Sequence, residues 1–180
     1  FRVVYGEADL LPGLIIDRYG DVVVLQTLAL GMDVRKAEMV ELIDELMHPA
    51  AVFERNDPGV RRLEGLDART GWLRGSAPAE VEIHEGRARF LVDVARGQKT
   101  GFFLDQRENR LAVGRIVNGA AVFDAFCYTG GFAVHAALGG ARQVTAVDIS
   151  QDAVSLAKQN AERNGVAERF VRTLKENLLW

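Results

Sequence analysis

Two acidic residues each follow a short apolar run directly, and their side chains could bind a polar ligand. Asp124 follows Ala121–Phe123, and Asp148 follows Val144–Val147, 24 positions later (148 − 124). Between them, the turn Phe126–Gly131 contains two glycines and precedes an apolar stretch typical of a helix. In parallel sheets, ligands bind at the carboxyl ends of strands, where a following helix also presents free N–H groups. The spacing therefore predicts a nucleotide-like cofactor site.

The composition of the turn discriminates between two cofactor classes. Dinucleotide-binding turns use G-x-G-x-x-G, and the first glycine of that fingerprint is absent from Cys127-Tyr128-Thr129-Gly130-Gly131. An acid at the strand end would also repel a pyrophosphate. S-adenosylmethionine carries no phosphate, and its ammonium group could bind Asp124 while its carboxylate accepts backbone N–H groups. The turn therefore favours S-adenosylmethionine over NAD or FAD.

Asp148 has two possible roles. It could cap the helix that follows, or it could bind both ribose hydroxyls, as an acid at the end of a second strand does in related folds. Taken alone, the two interpretations are equally good. Together with the Asp124 turn at the appropriate distance upstream, the pattern favours ribose binding, with Ile149 and Ser150 in the same site.

The elements around these residues divide the chain into two parts. The first part is β-rich, with a hairpin of Leu14–Ile16 and Val22–Leu25 around a turn at 17–21, and a second hairpin at 80–94. One helix is expected over 34–47, with Asp33 as its N-cap, followed by a strand at 51–54. After residue 98, apolar runs and helical patterns alternate, which is typical of a parallel sheet covered by helices. The predicted fold class is α/β: a small β-rich α/β domain, 1–95, and an incomplete Rossmann-like sheet, 96–180.

Composition narrows the class of protein. The chain is 48% hydrophobic and 26% charged, which is typical of a globular protein, and its net charge of −3 argues against a free-standing nucleic-acid binder. The single cysteine, Cys127, excludes an internal disulfide framework and favours the cytoplasm, and a buried neutral thiol is expected for it. The three histidines lack metal-ligand spacing, so no metal site is predicted. Arg55, Asn56, Arg61 and Arg62 could touch RNA, but solvated charge is the preferred interpretation.

Three stretches resemble a known family. "GQKTGFFLDQR", "FDAFCYTGGFAVHAA" and "VTAVDISQDAVSLAKQNAERNG" are similar to the large-subunit ribosomal RNA cytosine-5 methyltransferases and their class I relatives. The resemblance covers about residues 2–165. It implies that ribosomal RNA is the partner, that the segment 99–107 forms part of the cofactor pocket, and that the chain is a piece of a longer protein. An RNA-binding PUA domain would precede Phe1, and the cysteine nucleophile would lie beyond this chain, so no catalytic residue is predicted here.

The implied cofactor residues form three groups. They are Lys99, Thr100, Phe103, Asp105, Gln106 and Arg107; Asp124, Phe126, Tyr128, Thr129, Gly130 and Gly131; and Asp148, Ile149 and Ser150. Within the first group, Phe103 is expected against the adenosine, and Lys99 and Arg107 near the methionine carboxylate or an RNA phosphate. The alternative for this stretch is a surface loop with Asp105 as a helix N-cap.

Two competing functions remain at this point. The chain could be a catalytically inactive module that uses the same fold to contact RNA or to dimerise. A nicotinamide oxidoreductase is disfavoured by the missing glycine. Because about three strands of a normally larger sheet are encoded, we also expect an exposed edge, marginal stability and possible homo-oligomers. The tail 169–180 departs from the family, which normally has a strand ending in an acid there.

Overall fold

The computed structural model describes the backbone of residues 1–175 and the side chains of residues 1–170. The chain forms two compact units, one of Phe1–Glu82 with Val92–Leu104, the other of Ile83–Leu91 with the residues from Asp105 onward. The predicted domains, 1–95 and 96–180, differ from these units because the turn of the 80–94 hairpin groups with the second unit. The segment that precedes Asp105 groups with the first.

The first unit contains a five-stranded mixed sheet. Its strands are β1 (Arg2–Tyr5), β2 (Leu14–Tyr19), β3 (Val22–Thr27), β4 (Ala51–Asn56) and β5 (Arg69–Gly75), in that spatial order. Only β3 and β4 run parallel, because the helices α1 (Leu30–Asp33) and α2 (Lys36–Met47) connect them. Ile43 of α2 packs with Leu14, Leu25 and Val52 of the sheet, so the apolar stripe predicted for this helix forms part of the core.

Several details of the first unit differ from the sequence predictions. The expected turn at 17–21 is shorter, because strand β2 continues through Asp17 to Tyr19, where Asp17 binds Arg2 and Tyr19 is buried. The helix expected over 34–47 is found as α2 (Lys36–Met47), but Asp33 ends the separate short helix α1 instead of capping α2. Strands β1 and β5 were not predicted. The hairpin at 80–94 is confirmed as β6 (Glu80–Glu85) and β7 (Ala88–Asp93), with alternate side chains of β7 buried.

The second unit contains a parallel three-stranded sheet with helices between the strands. Its elements are α3 (Arg107–Ile116), β8 (Ala121–Asp124), α4 (Gly131–Leu138), β9 (Gln143–Asp148), α5 (Gln151–Arg163) and β10 (Phe170–Lys175). The strand order is β10-β9-β8, and Val122 of β8 pairs with Val144 of β9. The prediction that these two strands are parallel neighbours is therefore confirmed, and so is a third strand opening at Phe170.

Small side chains allow the helices of this unit to pack closely on the sheet. Its core includes Ala133, Ala136 and Ala137 of α4, and Ala157 and Ala161 of α5. On strand β8, Phe123 is 62% exposed, and within the described residues β9 is the only strand that pairs with β8. None of the helices within residues 1–175 has the length and apolar character needed to cross a membrane.

Candidate functional site

Asp148 ties the end of β9 to the turn that follows β8. Its Oδ2 accepts the backbone N–H of Tyr128 at 2.8 Å, and its Oδ1 accepts that of Ser150 at 2.9 Å. The N-cap of α5 is Ser150, whose Oγ accepts the N–H of Ala153 at 3.2 Å. Asp148 is therefore not the helix cap, and each of its oxygens keeps lone-pair capacity beyond these single bonds.

The turn between β8 and α4 is held by backbone contacts as well. The N–H of Cys127 donates to the carbonyl of Val147 at 2.9 Å, and that of Gly130 donates to the carbonyl of Cys127 at 2.8 Å. Tyr128 has φ +47° and Gly130 has φ +82°, so both lie in the left-handed region that disfavours most side chains. The turn is thus a specific, constrained conformation and not an open loop.

Gly130 is required mainly by a neighbouring helix. A Cβ added there would lie 3.1 Å from the Cβ and 3.3 Å from the Cα of Ala157 in α5. The resemblance in sequence placed this glycine among the cofactor residues. The structure shows a close approach of α5 instead, and the ligand role of Gly130 stays a prediction.

Asp124 is held against the start of α4. Its Oδ2 accepts the backbone N–H of Ala133 at 3.1 Å, in the first turn of that helix. Burial raises the pKa of Asp124 to about 6, with a further contribution from the negative charge of Asp148 and opposing hydrogen bonds from backbone N–H groups. Two carboxylates that converge at one sheet edge make this a site that would favour a bound cation.

The remaining predicted residues near the two acids fall into two kinds. Phe126 and Ile149 are apolar side chains exposed by 66% and 60%, and they could cover a flat apolar ligand surface. Thr129 is buried, its hydroxyl has no hydrogen-bond partner within the described residues, and its carbonyl accepts a bond from Asn160 Nδ2 at 3.0 Å. Gly131 is the buried first residue of α4. Asn160 was missed from the sequence, where an Asn in mid-helix gives little indication of its partners.

The segment Lys99–Arg107 divides between the two units. In the first unit, Lys99 Nζ lies 4.4 Å above the Phe103 ring, and the Thr100 hydroxyl donates to Asp17 Oδ2 at 2.6 Å and bonds Tyr19 at 2.8 Å. Thr100 is fully buried, so it has a structural role within this unit.

In the second unit, the side chains of Asp105, Gln106 and Asn109 are linked by hydrogen bonds. Helix α3 begins after Gln106 without a side-chain cap, so the alternative of Asp105 as N-cap is wrong. Arg107 is exposed, with its Nε 3.8 Å from Glu108. The cofactor contacts predicted for this segment stay predictions.

Cys127 is the buried thiol that the sequence predicted. It is 4% exposed, and burial raises its pKa to about 12, with further contributions from the negative charges of Asp124 and Asp148. A thiol that stays neutral at ordinary pH is a poor nucleophile. Within the described residues, no group of three or more His, Cys, Asp or Glu side chains is arranged to hold a metal ion.

The basic cluster of the first unit corrects a sequence interpretation. Arg55, Asn56 and Arg61 were expected to be solvated, but they are 4%, 0% and 1% exposed. Arg61 donates to the Thr27 carbonyl and to Asp33 Oδ1 at 3.0 Å, and Arg55 donates to the Val94 and Gly97 carbonyls. Buried guanidinium groups with this many partners hold the unit together. Of the four residues, only Arg62 is exposed.

Comparison with known proteins agrees with this geometry. Residues 54–179 match the sequence model of a family described as S-adenosylmethionine-dependent methyltransferase. The chain belongs to that family. The cofactor in the family's description is the one that the turn after β8 predicts.

Individual relatives are similar over most of the chain. It is 45% identical over 168 residues to the "Ribosomal RNA large subunit methyltransferase I" of Aeromonas hydrophila, and 45% identical over 167 residues to the protein of that name in Klebsiella pneumoniae. Each alignment covers 92% of this chain and 42% of the relative. The chain therefore spans less than half the length of the curated relatives it matches.

Solved structures support the fold class. The crystal structure of SMU.776 complexed with SAH matches with a TM-score of 0.83 and 26% identity, over 99% of this chain and 45% of that one. The tRNA m1G37 methyltransferase of M. jannaschii matches with a TM-score of 0.70 and 24% identity, over 88% of this chain and 48% of that one, which shows a shared fold. The predicted class I, Rossmann-like α/β fold is confirmed.

Proposed function

We propose that this chain binds S-adenosylmethionine in its second unit, and that the protein containing it methylates large-subunit ribosomal RNA at C5 of a cytosine. The observation that carries the cofactor site is the convergence of Asp124 and Asp148 at the ends of paired strands, with the turn between them fastened to Asp148. The RNA substrate rests on the names of the relatives, and cytosine C5 on the resemblance in sequence.

The charges of the site fit the two ends of this cofactor. Asp124 is a carboxylate whose burial disfavours its charge, so an ammonium group beside it would restore the ionised form. Asp148 is oriented by two backbone N–H groups, and its free lone pairs would accept the two ribose hydroxyls. Phe126 and Ile149 would contact apolar parts of the adenosine, with Tyr128, Thr129, Gly130, Gly131 and Ser150 completing the wall. When bound, the sulfonium centre supplies an electrophilic methyl group.

The resemblance in sequence assigns the segment Lys99–Arg107 to the same cofactor. Phe103 offers an aromatic face, and Lys99 and Arg107 offer cations for the methionine carboxylate or an RNA phosphate. The same proposal includes Asp105 and Gln106. The buried Thr100 would contribute only indirectly, by holding the segment through its bonds to Asp17 and Tyr19. A ribosomal RNA substrate and a single cysteine support the further proposal that the protein acts in the cytoplasm.

Calorimetry with S-adenosylmethionine tests the cofactor site. We expect the chain to bind S-adenosylmethionine but not NAD, and Asp148→Ala to weaken binding about tenfold to a hundredfold, because it removes a charge-assisted contact. The matched control is Asp152→Ala, which removes an exposed acid from the same helix end and should leave the affinity unchanged. Binding of NAD in place of S-adenosylmethionine would refute the assignment.

Methyl transfer by the full-length protein tests the substrate. Large-subunit RNA incubated with the protein and labelled S-adenosylmethionine should gain label on 5-methylcytosine after digestion to nucleosides. Label on another base would disprove the C5 assignment, and label only on other RNAs would disprove the substrate. The isolated chain should bind the cofactor without transferring methyl groups, because Cys127 is buried and its pKa is about 12.

A second candidate is a dimerisation role, which the exposed Phe123 of β8 favours. An unpaired strand edge with an exposed aromatic side chain is a template for pairing with another chain. Sedimentation of the isolated chain should then show concentration-dependent association that Phe123→Lys weakens. A stable monomer with a cooperative melt would contradict this role.

A further inference from the structure

Asn160, in the middle of α5, connects two backbone segments that are distant in sequence. It is fully buried. Its Nδ2 donates to the carbonyl of Thr129 in the turn after β8 at 3.0 Å, and its Oδ1 accepts the N–H of Leu91 in β7 at 2.8 Å. Because a carbonyl can only accept and a backbone N–H can only donate, these partners define the orientation of the amide.

We propose that Asn160 is a positioning residue for the cofactor, acting through the Thr129 carbonyl that it holds. The inference rests on the proposed function, since the turn it holds is the proposed wall of the S-adenosylmethionine site. That turn contains Tyr128 at φ +47°, and a non-glycine residue keeps such a conformation only where its surroundings hold it. Asp148 fastens the turn at Tyr128, and Asn160 fastens the next residue.

The second bond of Asn160 gives the turn a rigid support. In β7, this side chain satisfies the N–H of Leu91. Without Asn160, a buried carbonyl at Thr129 and a half-buried N–H at Leu91 would lose their partners, which is unfavourable. The structure thus links the shape of the cofactor turn to the strand edge of the hairpin through one amide.

Asn164, one turn further along α5, supplies a matched control. Its Oδ1 accepts the N–H of Arg89 at 2.8 Å, and its Nδ2 donates to the Arg89 carbonyl at 2.6 Å. It binds the same strand with the same chemistry. Its Nδ2 also donates to the backbone carbonyl of Asn160 at 2.7 Å, but this bond does not involve the Asn160 side chain or the cofactor turn. A merely structural role for Asn160 would therefore make the two asparagines equivalent.

The test compares Asn160→Ala with Asn164→Ala in the wild-type background. Melting temperatures are measured first, and S-adenosylmethionine affinity is then measured by calorimetry well below both melting midpoints. We expect both variants to lose stability, Asn160→Ala to bind about tenfold more weakly, and Asn164→Ala to bind as the wild type does. Equal affinity in all three proteins would overturn the inference while leaving the proposed function intact. If the wild type itself does not bind, the proposed function fails and the inference fails with it.

Hydrogen exchange on the wild type keeps the inference falsifiable if Asn160→Ala does not fold. Coupling between sites is reciprocal, so saturating S-adenosylmethionine should slow exchange of the Leu91 N–H more than that of the Arg89 N–H. Equal slowing at the two amides would reflect only general stabilisation by the ligand, and would overturn the proposed role of Asn160.

Discussion

Asp148 Oδ2 accepts the backbone N–H of Tyr128 at 2.8 Å, although Tyr128 lies in the left-handed region at φ +47°. The bond compensates a conformation that would cost a non-glycine residue about 1–2 kcal/mol. Asp148 therefore shapes the turn in addition to presenting a carboxylate. An Asp148→Asn variant keeps an acceptor oxygen but has no charge. Comparing its cofactor affinity with that of Asp148→Ala therefore separates the contribution of the hydrogen bond from that of the charge.

Cofactor affinity should fall as the pH falls through 6. Burial raises the pKa of Asp124 to about 6 from its ordinary value of 3.8, and only the ionised form attracts an ammonium group. At pH 5 the free protein would be mostly protonated at this residue, which weakens binding about tenfold relative to pH 8. Calorimetry across this range checks the profile. Asp124→Asn should bind weakly at every pH, and an unchanged profile in that variant would assign the titration to another group.

Asp124 should also lower the stability of the folded chain at neutral pH when no ligand is bound. Because the pKa of Asp124 is higher in the folded chain than in the unfolded one, folding favours the protonated form, and stability is lost as the pH rises from about 4 to about 6. Asp124→Asn keeps an acceptor for the Ala133 N–H. We expect it to melt at a higher temperature than the wild type at pH 8 and at a similar temperature at pH 4. A lower melting temperature at pH 8 would contradict the prediction.

Gly130→Ala should reduce both stability and cofactor affinity. Its φ of +82° costs a side chain about 1–2 kcal/mol, and the added Cβ would approach Ala157 at 3.1 Å. Gly165→Ala is the control, because Gly165 has φ +66° with nothing within 4 Å of an added Cβ. Thermal melts should show a smaller loss for Gly165→Ala, and calorimetry should show no change in its affinity. Similar results for both variants would mean that the contact with α5 is unimportant.

Glu85→Gln should destabilise the second unit strongly. Glu85 binds Arg110 through both oxygens, at 2.7 and 2.6 Å, and lies 3.0 Å from His135 Nε2, with all three side chains buried. Removing one charge of a buried pair costs about 3–5 kcal/mol. Chemical denaturation checks this value, with the exposed Glu80→Gln as the control. A loss no larger than that of Glu80→Gln would show that the pair contributes little.

We also expect Glu85 to make the folded chain less stable in acid. Burial by itself would raise the pKa of Glu85, but the hydrogen bonds from Arg110 and His135 outweigh it and lower the pKa to about 2 from 4.5. The stabilisation is present above pH 4.5 and is lost as the pH falls toward 2. In Glu85→Gln, this part of the acid transition should be absent.

Arg61→Met should destabilise the first unit, and Arg62→Ala should not. Arg61 is 1% exposed and bonds Thr27, Asp33 and the Asp67 carbonyl. Replacing Arg61 leaves buried oxygens without their partners, which should lower the free energy of unfolding by about 3–5 kcal/mol. A substitution at the surface, such as Arg62→Ala, should change it by about 0.5 kcal/mol or less. Denaturation midpoints of the two variants check the difference. Equal midpoints would contradict the assignment of Arg61 to the core.

Local patterns in the sequence were sufficient to predict the parallel pair β8 and β9 and the acids at their ends. Apolar runs, glycine turns and helix signals are short-range features, so they identify Asp124 and Asp148 without knowledge of the fold. The same signals predicted the 80–94 hairpin. They misassigned Asp33, because a cap depends on neighbours that the local sequence does not contain.

Only the tertiary structure decided which polar groups meet. Hydrogen bonds join Arg61 to Thr27, 34 positions away, Asn160 to Leu91, 69 positions away, and Glu85 to Arg110, 25 positions away. A charged or amide side chain has the same sequence signature whether it is solvated or buried with partners, since the difference lies in long-range packing. The sequence therefore determined the class of cofactor and the acids at the strand ends. Packing of helix against strand decided how the turn between those acids is held.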